Sequence, residues 1–305
     1  MIKIGIIGMS PGNAHPYSWS SIINGTFNAE EINRIGYPGV LNYLIANKDT
    51  LGIPAARVTH VWTQDRLISE SIAKNSNIAN VVDTLEGMIG EVDAVLLSRD
   101  DPENHVGMAR PFIEAGIPIF VDKPLATNHK DLDWFANESS KGKLIMSCSS
   151  MRFANECRIV KQEVGTLGEL CLTTAVGKKD WNKYGVHLME AVFALLDDPV
   201  PVSVRHASET GKDIVVVELE NGIRSTFLLF MDITPTLQIS LFGKNGWRLM
   251  DIKNSYSMFR DNIIEFVRSV EEGKSRIEFD KTYRIISTLI GANESLNQGG
   301  IAIRL

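Results

Sequence analysis

The sequence predicts an α/β protein in two parts: a doubly wound parallel sheet over residues 1–149, then an α+β domain with an open, mainly antiparallel sheet over residues 150–305. Three observations lead there. In the first half, apolar runs of strand length alternate with segments of helical period. In the second half, strands succeed one another with few helices between them. The 305 residues suit two compact units, at about 150 residues each.

Residues 2–7 form a near-continuous apolar run, the pattern of a parallel strand covered on both faces. Similar runs recur at 58–63, 92–98, 117–121 and 144–148, and helical spacing lies between them at 67–74, 103–115 and 130–137. Gly116 follows the second helix as a natural stop, and Asn128 stands where the third is capped. Strands are expected next at 170–176, 202–207, 214–220, 225–231, 238–242 and 247–252. Asn221-Gly222 is a strong hairpin signal between the third and fourth of these. Helical segments complete the second half at 154–164, 185–196, 258–271 and 281–297.

Composition narrows the function. With 44% hydrophobic and 22% charged residues, disordered, collagen-like and coiled-coil readings are excluded. The formal charge of -6, from 31 basic and 37 acidic residues, provides no basic field for a nucleic acid. No apolar stretch approaches the ~18 residues of a membrane span. The apolar start carries Lys3, Gly5 and Gly8 and lacks a small-residue cleavage site, so it reads as a strand and the chain as cytoplasmic. Cys148, Cys157 and Cys171 form no CxxC pair; they read as buried thiols, with neither a disulfide framework nor a metal site.

Chemistry is expected at three strand ends. After the first strand, Gly8-Met9-Ser10-Pro11-Gly12-Asn13-Ala14-His15 offers Gly8, Ser10, Gly12 and Asn13 to a dinucleotide pyrophosphate. The spacing is Gly-x-x-x-Gly rather than G-x-G-x-x-G, and a turn needing positive φ at Gly12 is the alternative. At the end of the second strand, Thr63 leads to Asp65 and Arg66. An acid there suits the ribose hydroxyls of NAD and an arginine the 2'-phosphate of NADP, so the choice stays open. Asp65 also suits the cap of the following helix. At the third place, Asp122-Lys123-Pro124 follows an apolar strand at the carboxyl edge, where ligands of such sheets bind.

Asp122-Lys123-Pro124, preceded by Ala115-Gly116-Ile117-Pro118-Ile119-Phe120-Val121, resembles the E-K-P signature of the glucose-fructose oxidoreductase, inositol dehydrogenase and rhizopine-catabolism (Gfo/Idh/MocA) family. The resemblance extends through residues 93–98 with His105, Arg152-Phe153, Gly165-Thr166-Leu167-Gly168-Glu169, Tyr184-Gly185-Val186-His187, Phe259-Arg260-Asp261 and 281–297. It thus covers nearly the whole chain in order. It implies a Rossmann domain binding NAD or NADP through the segments above and Ser98-Arg99, and a second domain that carries a sugar-like substrate. It also implies reversible oxidation of a substrate hydroxyl, and a homo-oligomer formed through the C-terminal sheet.

By the same resemblance, Lys123 lies near the nicotinamide and substrate, and His187 is the acid-base group, the two meeting at one substrate carbon. Elementary chemistry agrees: removing hydride from an alcohol carbon needs a base at the hydroxyl, which an imidazole can supply. An ammonium beside it stabilises the developing alkoxide.

Three departures stand out. The acid is shortened to Asp122. The glycine turn is rearranged and followed by the polar-aromatic run His15-Pro16-Tyr17-Ser18-Trp19. Lys183 occupies the position, four before the histidine, where the family often has an aspartate; with Lys178 and Lys179 it suits an anionic substrate, a solvated loop being the alternative. A dinucleotide-binding regulator without catalysis, or an enzyme using NAD transiently for sugar elimination or glycoside cleavage, are the competing readings.

Overall fold

The computed structural model describes all residues, 1–305, and divides into two units. The first comprises Met1–Ala126, Asp133–Cys148 and Phe259–Phe279. Its elements run β1 (Ile2–Ile7), α1 (His15–Asn24), α2 (Ala29–Arg34), α3 (Pro38–Ala46), β2 (Ala56–Trp62), α4 (Arg66–Ser76), β3 (Asn80–Val81), β4 (Ala94–Leu97), α5 (His105–Glu114), β5 (Ile119–Val121), α6 (His129–Ser140), whose first four residues group with the second unit, and β6 (Ile145–Met146). All pairings are parallel, in the order β3-β2-β1-β4-β5-β6. This is the dinucleotide-fold order, whose direction reverses beside β1.

The apolar runs account for that sheet: Ile4, Ile6, Ile7 and all of β4 and β5 are buried, as strands covered on both faces must be. Gly116 adopts φ +75° after α5, and Asn128 accepts the Asp131 N–H at 2.9 Å at the start of α6. The long gap between α1 and β2 holds α2 and α3, which the periodicity did not reveal. They are anchored by polar chemistry. The Glu31 carboxylate meets Arg34 and Lys74 at 2.7 Å each and the Ser71 hydroxyl at 2.8 Å, joining α2 to α4. The Tyr43 hydroxyl on α3 donates to Ser18 on α1 at 2.5 Å.

The second unit comprises Thr127–Leu132, Ser149–Met258 and Asp280–Leu305. It contains a 3-10 turn at Ser150–Phe153, then α7 (Asn155–Lys161), β7 (Leu170–Lys178), α8 (Trp181–Leu195), β8 (Pro201–Glu209), β9 (Lys212–Leu219), β10 (Arg224–Phe230), β11 (Leu237–Gly243), β12 (Gly246–Asp251), α9 (Ser255–Glu272), α10 (Phe279–Asn297) and β13 (Ile303–Arg304), most of α9 belonging to the first unit. The seven strands lie in the order β12-β11-β7-β10-β9-β8-β13, and only β7 with β10 is parallel. Asn221-Gly222 makes the β9–β10 hairpin, with Gly222 at φ +81°. One face of this sheet is buried: Ala175, Phe227, Val215 and Ile239 alternate with exposed or half-buried neighbours, and Trp181 of α8 packs edge-on to Phe227.

Two expectations need correction. Residues 259–279 group with the first unit, although they follow the sheet strands in sequence. The reason is packing that sequence order does not encode: Phe259 meets the His15 ring at 5.2 Å, and Phe266 meets Phe120 of β5 at 5.8 Å. Of the three thiols, Cys148 and Cys157 are buried but Cys171 is exposed; it shares its face of β7 with the buried Thr173 and Ala175 but stands near the start of the strand, ahead of the covered positions. Burial pushes the Cys157 thiol up to about 12. No helix is long and apolar enough to cross a membrane.

Candidate active site

The carboxyl ends of β1, β2, β4 and β5 are neighbours in the first sheet, so the segments singled out in the sequence converge there. The turn after β1 bends at Gly12, φ +81°, where an added Cβ would meet nothing within 4 Å. Gly8 is different: a Cβ there would lie 2.5 Å from Pro16 Cγ, so the close approach of the turn to α1 requires glycine. The N–H groups of Gly12 and Ala14 find no acceptor in the protein, whereas that of His15 is taken by Asn13 Oδ1 at 2.8 Å. Two main-chain donors beside an open glycine are the donor set a pyrophosphate needs. The residues present therefore fit a dinucleotide.

Side chains brace this turn against the next strand ends. Gln64 Nε2 donates to the Met9 carbonyl at 2.5 Å, and its Oε1 accepts from Met9 N–H at 3.2 Å and from Arg99 Nη1 at 2.7 Å. Arg99 also reaches the Met9 carbonyl and forms an ion pair with Asp101. Ser98, fully buried, donates to the Ile7 carbonyl at 2.7 Å. Thr63 is buried, donating to the Asp65 carbonyl at 2.5 Å.

Asp65 caps α4 through the Leu67 N–H at 2.8 Å, and Arg66 pairs with Glu70 and Asp83 on the surface. Both readings of Asp65 thus have a footing, because its cap uses one carboxylate oxygen. Gln64 was not legible as a site residue. Its partners lie 55 and 35 positions away in sequence, and no local pattern records such contacts.

Asp122 does not pair with the ammonium of its neighbour Lys123. Its Oδ1 accepts the Lys123 main-chain N–H at 2.8 Å, and its Oδ2 accepts Asn13 Nδ2 at 3.0 Å and meets His15 Nδ1 at 2.6 Å. The short side chain thus ties β5 to the glycine turn. Burial opposes ionisation of this carboxyl, but His15 and Lys123 outweigh it and hold Asp122 well below the usual carboxylate range. His15 is held in turn by stacking on Trp19 at 4.4 Å. The Lys123 ammonium instead lies 3.7 Å from Asp100 Oδ2, and Asp100 is oriented by the Ser10 hydroxyl at 2.5 Å. Asp100 carried no motif that marked it, whereas His15 opens the polar-aromatic run that follows the glycine turn.

In the second unit, His187 lies in the second turn of α8, which starts at Trp181, four residues before the expected beginning. Asp180 caps the helix by accepting the Lys183 N–H at 3.0 Å. Lys183 is therefore helical, one turn before His187 on the same face, and it is exposed. Tyr184 stands edge-on to the His187 ring at 5.0 Å, with Lys179 over the other ring at 4.9 Å.

Ser149 Oγ meets His187 Nδ1 at 2.6 Å. One helical turn further along α8, the buried Glu190 accepts the Ser149 N–H at 3.3 Å and Arg152 Nε at 2.6 Å. Arg152 reaches Asp198 as well, at 2.7 Å. Burial raises the Glu190 carboxyl despite that arginine; at Asp198 burial is outweighed by Arg152 and Lys281, which hold it below its usual value.

Comparison with known proteins adds a family match over the first unit's strands. Residues 2–148 match the GFO_IDH_MocA model, described as an oxidoreductase family with an NAD-binding Rossmann fold. YceM of Salmonella typhimurium, whose name assigns it provisionally to the oxidoreductases, is 30% identical over 171 residues; the match covers 54% of this chain and 52%, about half, of that relative's length. Among solved structures, myo-inositol dehydrogenase from Lactobacillus casei in complex with NAD(H) and myo-inositol is similar at a TM-score of 0.78, with 14% identity over 100% of this chain and 97% of that one. Scyllo-inositol dehydrogenase from the same organism, with NAD(H) and scyllo-inositol, gives 0.75 and 12% identity over 100% and 99%. These two likenesses concern the fold.

Proposed function

We propose, from the match of residues 2–148 to the Gfo/Idh/MocA oxidoreductase family model with its NAD-binding Rossmann fold, that the chain transfers a hydride between a nicotinamide dinucleotide and a hydroxyl of a sugar-like, anionic substrate. The observation that carries this reading is the strand-end constellation of the first unit. An open glycine turn with two unbonded main-chain donors lies in the same sheet edge as a lysine oriented by a carboxylate. When bound, the nicotinamide gives or takes the hydride. The chain's own residues do the rest.

Gly8, Ser10, Gly12 and Asn13 shape the pyrophosphate turn. Thr63, Asp65 and Arg66 face the adenosine ribose, with Asp65 favouring NAD and Arg66 NADP. Ser98 and Arg99 frame the edge between them, and Asp122 secures the turn. Lys123 stabilises negative charge on the substrate oxygen, and His187 exchanges the hydroxyl proton. Lys183, with Lys178 and Lys179, attracts the anionic group of the substrate. The two inositol dehydrogenases that share the fold make a polyhydroxylated ring a reasonable core for that substrate. The outer face of the second sheet is the proposed interface of a homo-oligomer, since Trp247, Leu249, Phe242 and Ile214 are exposed there.

Titration with the oxidised and reduced forms of NAD and NADP tests the reading. Binding of one pair tighter than millimolar, a free energy of about 4 kcal/mol, is expected; weaker binding of all four overturns it. On the sugar, inositol and sugar-acid panel that follows, His187→Asn is expected to lower turnover by about 100-fold or more while leaving cofactor affinity unchanged.

A further inference from the structure

The Ser149–His187 contact specifies more than proximity. Ser149 is fully buried, so its hydroxyl hydrogen needs an acceptor inside the protein. Its oxygen already accepts the Met151 N–H at 3.1 Å, and a main-chain N–H cannot receive a hydrogen in return. The acceptor within reach of the Ser149 hydroxyl is His187 Nδ1, at 2.6 Å. Were Nδ1 to carry the ring proton and donate it to Ser149, the buried hydroxyl hydrogen would have no acceptor, at a cost of about 1–3 kcal/mol. The serine is itself fixed, because Glu190 on the same helix as His187 accepts its main-chain N–H.

We propose that Ser149 is a positioning residue that sets the tautomer of His187: it donates to Nδ1, so that the neutral ring carries its proton on Nε2. The inference rests on the reading of His187 as the acid-base group and deepens it. A carboxylate partner accepts only, and would hold the proton on the nitrogen it touches. In this chain the residue one turn before the histidine is Lys183, and the partner on Nδ1 is a hydroxyl that donates. The resting ring therefore carries its hydrogen on Nε2. Accepting a hydroxyl proton at Nε2 first requires the ring to change tautomer and Ser149 to turn from donor to acceptor.

Nitrogen NMR of the 15N-histidine-labelled, full-length protein without ligand reads this directly, at a pH where the ring is neutral and with the His187 signals identified by their loss in His187→Asn. Wild type is expected to show one tautomer, with the proton on Nε2 and Nδ1 unprotonated. Ser149→Ala is expected to give a mixture of tautomers, and Ser149→Thr, which keeps the hydroxyl, to restore the single form. A proton on Nδ1 in wild type, or spectra unchanged in Ser149→Ala, overturns the proposal. Should Ser149→Ala lose its fold with the cap on Met151, the wild-type and Ser149→Thr spectra still decide. Turnover of His187→Asn on the sugar panel tests the acid-base reading separately, so the two failures are distinguishable.

Discussion

Lys123 and the acid that orients its head group come from different strand ends. Asp100 lies 23 positions before Lys123 and is aimed by Ser10 from a third segment. Asp100→Asn keeps the size and the Ser10 contact while removing the charge. Loss of a charge-assisted contact of about 1.5 kcal/mol corresponds to about 10-fold. The expected outcome is a fall of about that size in kcat/KM for whichever panel substrate turns over, with nicotinamide affinity unchanged; steady-state kinetics and cofactor titration measure the two. Lys183 makes a second expectation at this scale. Its charge is exposed, and exposed charges act weakly beyond about 10 Å at 0.1 M salt. Carboxylated or phosphorylated sugars should outperform neutral ones, the advantage should shrink as salt rises, and Lys183→Ala should narrow it severalfold. A substrate panel at two ionic strengths checks both.

Short helices need anchors that longer ones do not. Helix α2 has six residues, too few to be stable alone, and its hold on α4 is the Glu31 carboxylate with its three partners. Lys74, Arg34 and Ser71 hold Glu31 down to about 2, from an ordinary 4.5, against a smaller opposing effect of burial. A depressed carboxyl binds its proton more readily in the unfolded chain, so its stabilisation is complete above pH 4.5 and is lost as pH falls toward 2. Glu31→Gln is therefore expected to melt a few degrees below wild type at neutral pH, a loss of about 1–2 kcal/mol. The difference should shrink between pH 4.5 and 2 and vanish below; thermal unfolding followed by circular dichroism across that range checks it.

At the scale of the whole molecule, the second sheet leaves one face without a layer of helices. Its outward positions include Trp247, 61% exposed, and Leu249, 50% exposed. An apolar sheet face in water is a costly arrangement for a lone chain. The protein is expected to sediment as a homo-oligomer, and Trp247→Glu together with Leu249→Lys to shift it toward monomer while the melting of the first unit stays the same. Analytical ultracentrifugation at several concentrations measures the shift.

The parallel sheet of residues 1–149, the change to a mainly antiparallel sheet after Leu170, the caps at Asn128 and Gly116 and the β9–β10 hairpin were all legible in the chain, because each depends on residues within a few positions of one another. The strand ends at Gly8, Thr63, Ser98 and Asp122 were legible for the same reason. The three-dimensional packing decided what side chains from distant segments do there. It paired Lys123 with Asp100, tied Asp122 to Asn13 and His15, placed Gln64 between Met9 and Arg99, drew residues 259–279 into the first unit, and set Ser149 against His187. Local sequence carries the backbone's hydrogen bonding and the period of burial. The charge partners and ring tautomer of a site depend on which strand ends the fold makes neighbours, and that is a property of the assembled sheet.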